Sequence, residues 1–270
     1  MALTPSRYAL GPKIGSGAYS SVYSCENDAN VVIKIETTDS KHELRVYIDL
    51  ESSSFIPNLI SNGIARVKDK TVSFLVLEKF QSDAHTLIKT RLDSNFRKRI
   101  AWNIIDALEY IHDKGYAHCD IKPHNILVSD ERVVLADFGL TRKYVQENGD
   151  HVEYALCNKM MGTLPYMSSD MHRKINPSRR SDMESLGWTL VELFGGRLPW
   201  RNVDHTRTMR ELAITIGVSK NQYKCKLSQF LTDCALKYGR FELAQYFHSV
   251  WALDYRERPN YKALAQLFTS

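Results

Sequence analysis

Hydrophobic and polar positions alternate along the first third of the chain, and a period of two predicts β-strands there. Residues 8–36 alternate around the glycine-containing segment IGSGAYSSVYS and end in the β-branched run VVIKIE. This pattern predicts a hairpin followed by a further strand. Residues 64–80, IARVKDKTVSFLVLEKF, predict a second hairpin that ends in an apolar strand. Between them, SKHELRVYIDL has apolar residues at helical spacing and predicts a short amphipathic helix.

The period lengthens to three and four residues in the rest of the chain, which predicts helices. Residues 95–114 and 181–195 have this pattern most clearly. At the second of these segments, Ser181 and Glu184 predict a capping box at the start, and Gly195 and Gly196 predict the end. The patterns together predict an α+β protein, β-rich at first and mainly helical afterwards. Its one candidate linker is the stretch QSDAH that follows residue 80.

Composition narrows the class of protein. The 270 residues are 43% hydrophobic and 25% charged, which is typical of a globular protein. A net charge of +5 is too small to predict direct nucleic-acid binding. The five cysteines lack C-x-x-C spacing, so we expect a reducing, intracellular compartment and no zinc site. The chain begins without an apolar signal segment and has no apolar run of about 18 residues, so we expect neither secretion nor membrane spanning.

The stretch from His118 to Gly139, HCDIKPHNILVSDERVVLADFG, carries the candidate chemistry. Asp120 and Asn125 have the D-x-x-x-x-N spacing of a kinase catalytic loop, and the tripeptide that begins at Asp137 is D-F-G. The apolar runs NILV and VVLA predict two strands joined by a turn, which would bring these three oxygen donors to one pocket. Asp, Asn and Gly also favour ordinary turns, but a turn alone does not explain both motifs at this distance.

The chemistry of each side chain predicts its role. Mg²⁺ prefers carboxylate and amide oxygens, so Asn125 and Asp137 are the predicted metal ligands that face the phosphates of ATP. Asp120 is predicted to orient the attacking hydroxyl and accept its proton. Lys122 is predicted to direct its positive charge at the γ-phosphoryl oxygens.

A nucleotide site is predicted in the N-terminal strands. Gly15 and Gly17 would let the backbone approach phosphates, although Ser20 stands at the third glycine position of G-x-G-x-x-G-x-V. A plain hairpin explains this motif equally well. Lys34 lies within VVIKIE where a phosphate-binding lysine is expected, or else it simply faces solvent. Glu43 is predicted to pair with Lys34; the alternative is a capping box formed with Ser40.

Taken together, these segments resemble the eukaryotic protein kinase family along nearly the whole chain. In detail they resemble the casein-kinase-one group, and most of all the vaccinia-related kinases. The A-P-E segment of other kinases is absent, and GTLPYMSSD and NPSRRSDMESLGW stand in its place. LFGGRLPW and LDYRERPNY are also similar to segments of these kinases.

The resemblance implies one bilobal protein kinase domain, with an N-lobe at residues 1–80 and a C-lobe at residues 81–270. It implies phosphorylation of Ser or Thr on protein substrates with ATP and Mg²⁺. We expect a monomer in the cytoplasm or nucleus, of a host cell if the chain is viral, without membrane or nucleic-acid partners. A pseudokinase scaffold and a small-molecule phosphotransferase of the aminoglycoside type are the alternative functions.

The resemblance also implies roles for individual residues. Asp120 would be the base, Thr163 would brace Asp120 and Lys122, Asp182 would hold the catalytic-loop backbone, and His118 would stack near Phe138. Leu77 would guard the back of the adenine pocket, next to a hinge whose backbone holds adenine. The implied nucleotide contacts are Ile14, Gly15, Ser16, Gly17, Ala18, Tyr19, Ser20, Val22, Lys34, Glu43, Leu77, Glu78 and Phe80.

Two departures from the family pattern lead to further expectations. Cys119 replaces the arginine of H-R-D, and residues 142–162 contain no serine or threonine. We therefore expect activity without Ser/Thr phosphorylation of the activation segment. Ser20 in place of glycine should stiffen the nucleotide loop.

The adjacent residues Arg179 and Arg180 allow two interpretations. They would either bind an anion, such as an acidic or phosphorylated residue of the substrate, or pair structurally with the activation segment.

Overall fold

The N-terminal lobe is an antiparallel sheet. The computed structural model describes residues 2–3, 7–17, 20–36, 41–67, 70–90, 93–202 and 208–269. The strands are β1 (Ala2–Leu3), β2 (Tyr8–Ser16), β3 (Ser20–Cys25), β4 (Val31–Glu36), β5 (Leu59–Val67) and β6 (Lys70–Glu78). Their order in the sheet is β1-β2-β3-β4-β6-β5. Both predicted hairpins are confirmed.

The second hairpin begins five residues earlier than predicted, at Leu59. A register shift between Leu59 and Ser61 interrupts the pairing of β5 with β6. A bulge of this kind breaks the alternation of side chains between the two faces. The hydrophobic pattern of residues 59–63 therefore gave no strand signal.

One helix, α1 (His42–Leu50), packs against this sheet. Val46, Tyr47 and Leu50 are buried, as the predicted amphipathic pattern requires. The N-cap is Lys41, whose side chain does not cap the helix. Ser40, the predicted capping partner of Glu43, lies outside the described residues.

The C-terminal lobe is mainly helical, as predicted. Its helices are α2 (Ala84–Ile88), α3 (Ser94–Asp113), α4 (Ser169–His172), α5 (Arg179–Leu193), α6 (Met209–Lys224), α7 (Leu227–Asp233), α8 (Arg240–Trp251) and α9 (Tyr261–Gln266). The predicted long helix at residues 95–114 corresponds to α3. No helix in the described ranges is long and apolar enough to cross a membrane.

The predicted capping box at the start of α5 is wrong. The helix begins at Arg179 after the N-cap residue Ser178, so Ser181 and Glu184 both lie inside it. Glu184 instead accepts hydrogen bonds from the backbone nitrogen and hydroxyl of Ser169, at 3.2 and 2.6 Å. The predicted end is confirmed, since Gly195 adopts a left-handed φ of +76° directly after the helix.

Short strands support the loops of the C-terminal lobe. Those strands are β7 (Ser82–Asp83), β8 (Tyr116–Ala117), β9 (Ile126–Val128), β10 (Val133–Leu135) and β11 (Arg142–Lys143). β9 and β10 pair antiparallel, as predicted from NILV and VVLA. A 3-10 turn, Pro123–Asn125, precedes β9. This hairpin places Asn125 at its start and Asp137 two residues after its end.

A single apolar core runs through both lobes. It includes Leu50 of α1, Leu75 and Leu77 of β6, and Ile104 and Leu108 of α3. A smaller cluster lies within the sheet lobe. The predicted α+β, two-lobed architecture is confirmed, and the boundary between residues 80 and 81 remains a prediction.

Candidate active site

The sheet places the predicted nucleotide residues side by side. Gly15 pairs with Val22 across β2 and β3, Val22 pairs with Lys34 across β3 and β4, and Lys34 pairs with Leu75 of β6. The backbone nitrogen of Gly17 donates to the carbonyl of Ser20 at 2.9 Å, next to the turn between β2 and β3. The glycine-containing hairpin and the lysine strand thus form one continuous surface.

The other predicted residues of this hairpin are only partly accounted for. Ile14 is 55% exposed, so its apolar side chain is available to a ligand. A Cβ added at Gly15 would meet only Val22, at 3.6 Å, which is ordinary contact. The protein itself therefore leaves room beside this glycine. Ser16 is exposed next to it, and Ala18 and Tyr19 lie outside the described residues.

Lys34 is the centre of a buried ion-pair network. Its Nζ lies 2.7 Å from Oε1 of Glu43 and 2.7 Å from Oδ1 of Asp137. Glu43 also accepts a hydrogen bond from the backbone nitrogen of Phe138 at 3.2 Å. The structure therefore contains the predicted ion pair and links α1 and β4 to the D-F-G segment.

The pKa values of this pair follow from burial and charge. Burial lowers the pKa of Lys34, but the carboxylates of Glu43 and Asp137 outweigh it and leave that pKa raised. Burial raises the pKa of Asp137, but the charge of Lys34 outweighs it and leaves that pKa lowered. Lys34 and Asp137 are therefore both charged at neutral pH.

Asp120 forms a second centre with Lys122 and Thr163. The Nζ of Lys122 lies 2.6 Å from Oδ2 of Asp120, and the hydroxyl of Thr163 donates to Oδ1 at 2.8 Å. Lys122 also donates to the Thr163 hydroxyl at 3.0 Å. One carboxylate oxygen of Asp120 is thus held by Lys122 of the same loop, and the other is held by Thr163 of a later segment.

Asn125 joins the two predicted motifs. Its side-chain nitrogen donates to the carbonyl of Asp120 at 2.8 Å, and this directs the amide group towards the catalytic loop. The backbone nitrogen of Ala136, next to Asp137, donates to the carbonyl of Asn125 at 2.9 Å. The two predicted metal ligands are thereby tied to one another through the β9–β10 hairpin.

This donor set fits a magnesium ion bound together with phosphates. Burial raises the pKa of Glu43, whereas the charge of Lys34 holds the pKa of Asp137 low, so Asp137 is the carboxylate that remains for a cation. One carboxylate and one amide oxygen are hard ligands of the kind Mg²⁺ takes, with phosphate and water supplying the rest. Among the described residues, no cluster of three or more His, Cys, Asp or Glu side chains forms an all-protein metal cage.

Asp182 of α5 holds the backbone of the catalytic loop. Its carboxylate accepts from the backbone nitrogens of His118 and Cys119 at 2.6 and 3.0 Å, and it lies 3.0 Å from Nε2 of His112. Cys119 has a φ of +69°, which is costly for a residue other than glycine. The buried carboxylate stabilises this conformation.

Phe138 connects the catalytic loop to the helix of the N-lobe. Its ring lies 5.4 Å from the His118 ring and 5.0 Å from the Tyr47 ring, both in edge-to-face geometry. The predicted contact of His118 with Phe138 is therefore present. Only the helical spacing of Tyr47 was visible in the sequence, and its contact with Phe138 could not be predicted.

The predicted hinge is supported by Arg132, a residue that no sequence pattern indicated. Arg132, in the turn between β9 and β10, donates to both carboxylate oxygens of Glu78 at 2.8 and 2.9 Å. Its guanidinium also lies 5.6 Å from the centre of the Phe80 ring. Leu77 is buried in the core. The Glu78 side chain is thus engaged by Arg132, and its backbone nitrogen donates to the carbonyl of Asn58 at 3.0 Å.

Cys119 lies in an apolar, sulfur-rich cluster below the activation segment. The buried members are Met161, Met167 and Met171, and Cys119 packs against them. Burial raises the pKa of the Cys119 thiol, so the thiol is uncharged. The place of the arginine in H-R-D is therefore filled by packing contacts.

Arg179 and Arg180 are engaged in structural contacts. Arg180 donates to both carboxylate oxygens of Asp170, from Nε at 2.7 Å and from a terminal nitrogen at 3.2 Å. The guanidinium of Arg179 lies 5.0 Å from the ring centre of Tyr144 and donates to the carbonyl of Arg256. These contacts favour pairing with the activation segment over the anion-binding interpretation.

Comparison with known proteins bears on the family. The sequence profile of the protein kinase domain matches residues 8–267. A probable casein kinase I homologue of Encephalitozoon cuniculi is 31% identical over 275 residues, which cover 96% of this chain and 83% of the homologue.

Poxvirus proteins are similar as well. A probable serine/threonine-protein kinase of fowlpox virus is 30% identical over 98% of this chain and 93% of its own length. The B1 kinase of monkeypox virus is 31% identical over 95% of this chain and 90% of its own. A vaccinia virus protein named a pseudokinase is 36% identical, but over only 61% of this chain and 56% of its own.

Proposed function

The chain belongs to the protein kinase family, and on this premise we propose that it transfers the γ-phosphoryl group of ATP to Ser or Thr hydroxyls of proteins. The observation that carries the proposal is the pair of centres at Lys34 and Asp120, and we call the space between them the cleft. Lys34 with Asp137 supplies charge for a magnesium nucleotide, and Asp120 with Lys122 and Thr163 supplies a held carboxylate for the acceptor. The names of the relatives from E. cuniculi and fowlpox virus support this substrate class.

The side chains divide the chemistry between them. Asp120 orients the substrate hydroxyl and accepts its proton, and Thr163 and Lys122 keep the carboxylate in position. Lys34 binds phosphate oxygens, and Lys122 stabilises the negative charge that develops on the transferred group. Asn125 and Asp137 would hold Mg²⁺, which neutralises charge on the phosphates when the nucleotide is bound.

A catalytically inactive scaffold is the second candidate function, because a relative that matches part of the chain is named a pseudokinase. Lys34, Asp120, Asn125 and Asp137 are all present, and their contacts support the active alternative. Binding of Mg-ATP without any transfer would favour the scaffold.

The test is transfer of labelled phosphate from ATP to a panel of proteins and small alcohols. Asp120→Ala should lower transfer to protein roughly 10²- to 10⁴-fold, because the hydroxyl loses its proton acceptor. Asp233→Asn, on α7 far along the chain from the cleft residues, is the control and should transfer like the wild type. Labelling that survives Asp120→Ala would contradict the assigned base, and transfer to alcohols alone would indicate a small-molecule phosphotransferase.

We also infer that the activation segment needs no Ser/Thr phosphate. Apolar contacts of Cys119 and the methionines occupy the place where an arginine would meet such a phosphate. Enzyme treated with a Ser/Thr phosphatase should therefore keep its activity. Protein that becomes active only after treatment with an upstream Ser/Thr kinase would contradict this inference.

A further inference from the structure

A lysine of α6 is completely buried beneath the activation segment. Lys220 has no exposed surface, and its ammonium lies 5.4 and 5.0 Å from the ring centres of Trp188 and Trp200. Moving an ammonium group out of water is costly, so a buried one must have strong compensating contacts. Burial lowers the pKa of Lys220 well below its ordinary value, and cation–π contacts with two tryptophans offset part of that cost.

Lys220 has uncharged hydrogen-bond partners. They are two backbone carbonyls of the segment 164–167 and the side chain of His172. The Nζ of Lys220 donates to the carbonyls of Leu164 and Met167 at 3.2 and 2.5 Å. It also lies 3.3 Å from Nε2 of His172. Burial, followed by the charge of Lys220, lowers the pKa of His172 to about 3, so this imidazole is neutral and can accept a hydrogen bond.

The two tryptophans differ in what else they contact. Trp200 donates from its indole nitrogen to the carbonyl of Pro165 at 2.9 Å. Lys220 and Trp200 therefore bind three carbonyls between Leu164 and Met167. We call this pair the Lys220–Trp200 clamp.

The clamped segment directly follows Thr163. The backbone nitrogens of Tyr166 and Met167 donate to the carbonyl of Thr163 at 2.9 and 3.0 Å, which closes a tight turn. The hydroxyl of Thr163 in turn donates to Asp120 at 2.8 Å. Lys220 is thus connected, through hydrogen bonds of Met167 and Thr163, to the carboxylate that would receive the substrate hydroxyl.

Close helix packing allows the lysine to reach this segment. Gly217 lies one turn before Lys220, and a Cβ added there would be 3.0 Å from the Cβ of His172. The missing side chain lets α6 approach α4, so the lysine extends beneath the turn.

We propose that Lys220, together with Trp200, is a positioning residue that fixes the Leu164–Met167 wall against which the protein substrate lies beside Asp120. This inference rests on the proposed kinase function. A peptide whose hydroxyl reaches Asp120 must pass this turn, because Thr163 at its start contacts the same carboxylate. The clamp acts on the acceptor side of the cleft and makes no contact with Lys34, Glu43 or Asp137.

The experiment compares Lys220→Met with Lys224→Met. Methionine keeps the apolar length of the lysine and removes its donors. Lys224 lies on the same helix and pairs with Glu184 at 3.0 Å, so its replacement also removes a lysine contact but none of the hydrogen bonds of the clamp. Steady-state rates with a peptide substrate give kcat and KM for peptide and for ATP separately. Hydrogen exchange of the backbone amides of residues 163–168, apart from Pro165, reports the turn independently of catalysis.

We expect Lys220→Met to lower kcat/KM for peptide roughly 10- to 100-fold, because small misplacements at a reacting centre are costly. The KM for ATP should stay within about twofold, and exchange of the Tyr166 and Met167 amides should become faster than in Lys224→Met. Unchanged peptide kinetics and unchanged exchange would overturn the proposal. An equal rise in both KM values would also overturn it, because that result indicates general loss of structure.

A second variant and a second measurement apply if the first comparison fails. If Lys220→Met does not fold, Trp200→Phe removes the bond to Pro165 and shortens the ring beside Lys220, and it should give the same split with a smaller change; equal KM changes would overturn the clamp. If the wild type transfers no phosphate to protein, the proposed function fails, and the exchange comparison still decides whether Lys220 holds the turn.

Discussion

Two lysine–carboxylate centres flank the cleft, and they differ in burial and in charge balance. Lys34 and Glu43 have side chains that are 6% and 2% exposed, whereas Lys122 is 20% exposed beside Asp120. Lys34 faces two carboxylates directly. Lys122 faces one carboxylate and a hydroxyl.

The two lysines therefore differ in how much they contribute to the stability of the fold and to the reaction. At the Lys34 centre Lys34 and Glu43 are deeply buried, whereas the Asp137 side chain is 43% exposed, so the lysine stabilises the fold as well as a ligand. The Lys122 centre is nearly balanced and closer to solvent, so its lysine contributes less to folding and more to the reaction. Replacing single side chains at the two centres should therefore give opposite profiles.

The largest expected effect is that of Lys34→Met. It leaves Glu43 buried without its cation, so the free energy of unfolding should fall by about 3 kcal/mol, and stabilisation by Mg-ATP should disappear. Adding Glu43→Gln should recover part of the stability but not the nucleotide response. Denaturant unfolding and thermal shift with Mg-ATP measure both. Lys89→Met, at an exposed position after α2, is the control; equal stability of the two single variants would refute the role of the pair.

The next effect depends on pH and concerns Glu36, two residues after Lys34 on the same face of β4. Burial, followed by the charge of Glu43, raises the pKa of Glu36 to about 7 from an ordinary value of 4.5. The folded protein therefore holds this proton more tightly than the unfolded chain, and stability is lost as pH rises from 4.5 through about 7.

Glu36→Gln removes this titration. It should raise the free energy of unfolding at pH ~8 by on the order of 2 kcal/mol, and change it little at pH ~5. Unfolding curves at the two pH values test this, with the exposed Glu26→Gln as control. A gain confined to the lower pH would contradict the assignment.

Lys122→Met should have the reverse profile of Lys34→Met. Lys122 is 20% exposed, and Asp120 keeps the Thr163 hydroxyl as a donor, so the free energy of unfolding should fall by less than for Lys34→Met. The kcat should fall about 100-fold or more, because a charge aimed at the transferred group is lost. Stabilisation by Mg-ATP should persist. Loss of nucleotide binding in this variant would remove the distinction between the centres.

The smallest effect is expected at Tyr47, behind the Lys34 centre. Its hydroxyl is buried without a hydrogen-bond partner among the described residues. Tyr47→Phe keeps the contact with Phe138 and should raise the free energy of unfolding by up to about 1 kcal/mol with activity unchanged. Tyr110→Phe is the matched control, because its hydroxyl donates to the carbonyl of Leu50 and its loss should be destabilising. Destabilisation by both would show that the Tyr47 hydroxyl has a partner.

Sequence patterns predicted the features that depend on residues close together in the chain. The alternation in VVIKIE predicted β4, and the spacing of the two motifs predicted that Asp120, Asn125 and Asp137 would come together. The capping box at Ser181 was wrong because the helix begins earlier, at Arg179, and Glu184 binds Ser169 of another segment.

Tertiary contacts account for the residues that no pattern indicated. Arg132 lies in an ordinary charged turn, and only the fold brings it to Glu78. Lys220 has the sequence context of a solvated helix lysine, but the approach of α6 to α4 buries it completely. Only the fold brings Asp170 beside Arg180, and this contact favours the structural interpretation of that arginine.

The continuous core has a consequence for how the protein can be divided. Leu50 of α1 and Ile104 of α3 belong to the same apolar cluster, and Tyr110 of α3 hydrogen-bonds the carbonyl of Leu50. Cutting the backbone between residues 80 and 81 would leave each fragment with a large exposed apolar surface. The halves would aggregate when produced separately and reassemble only when produced together, since neither lobe is complete without the other.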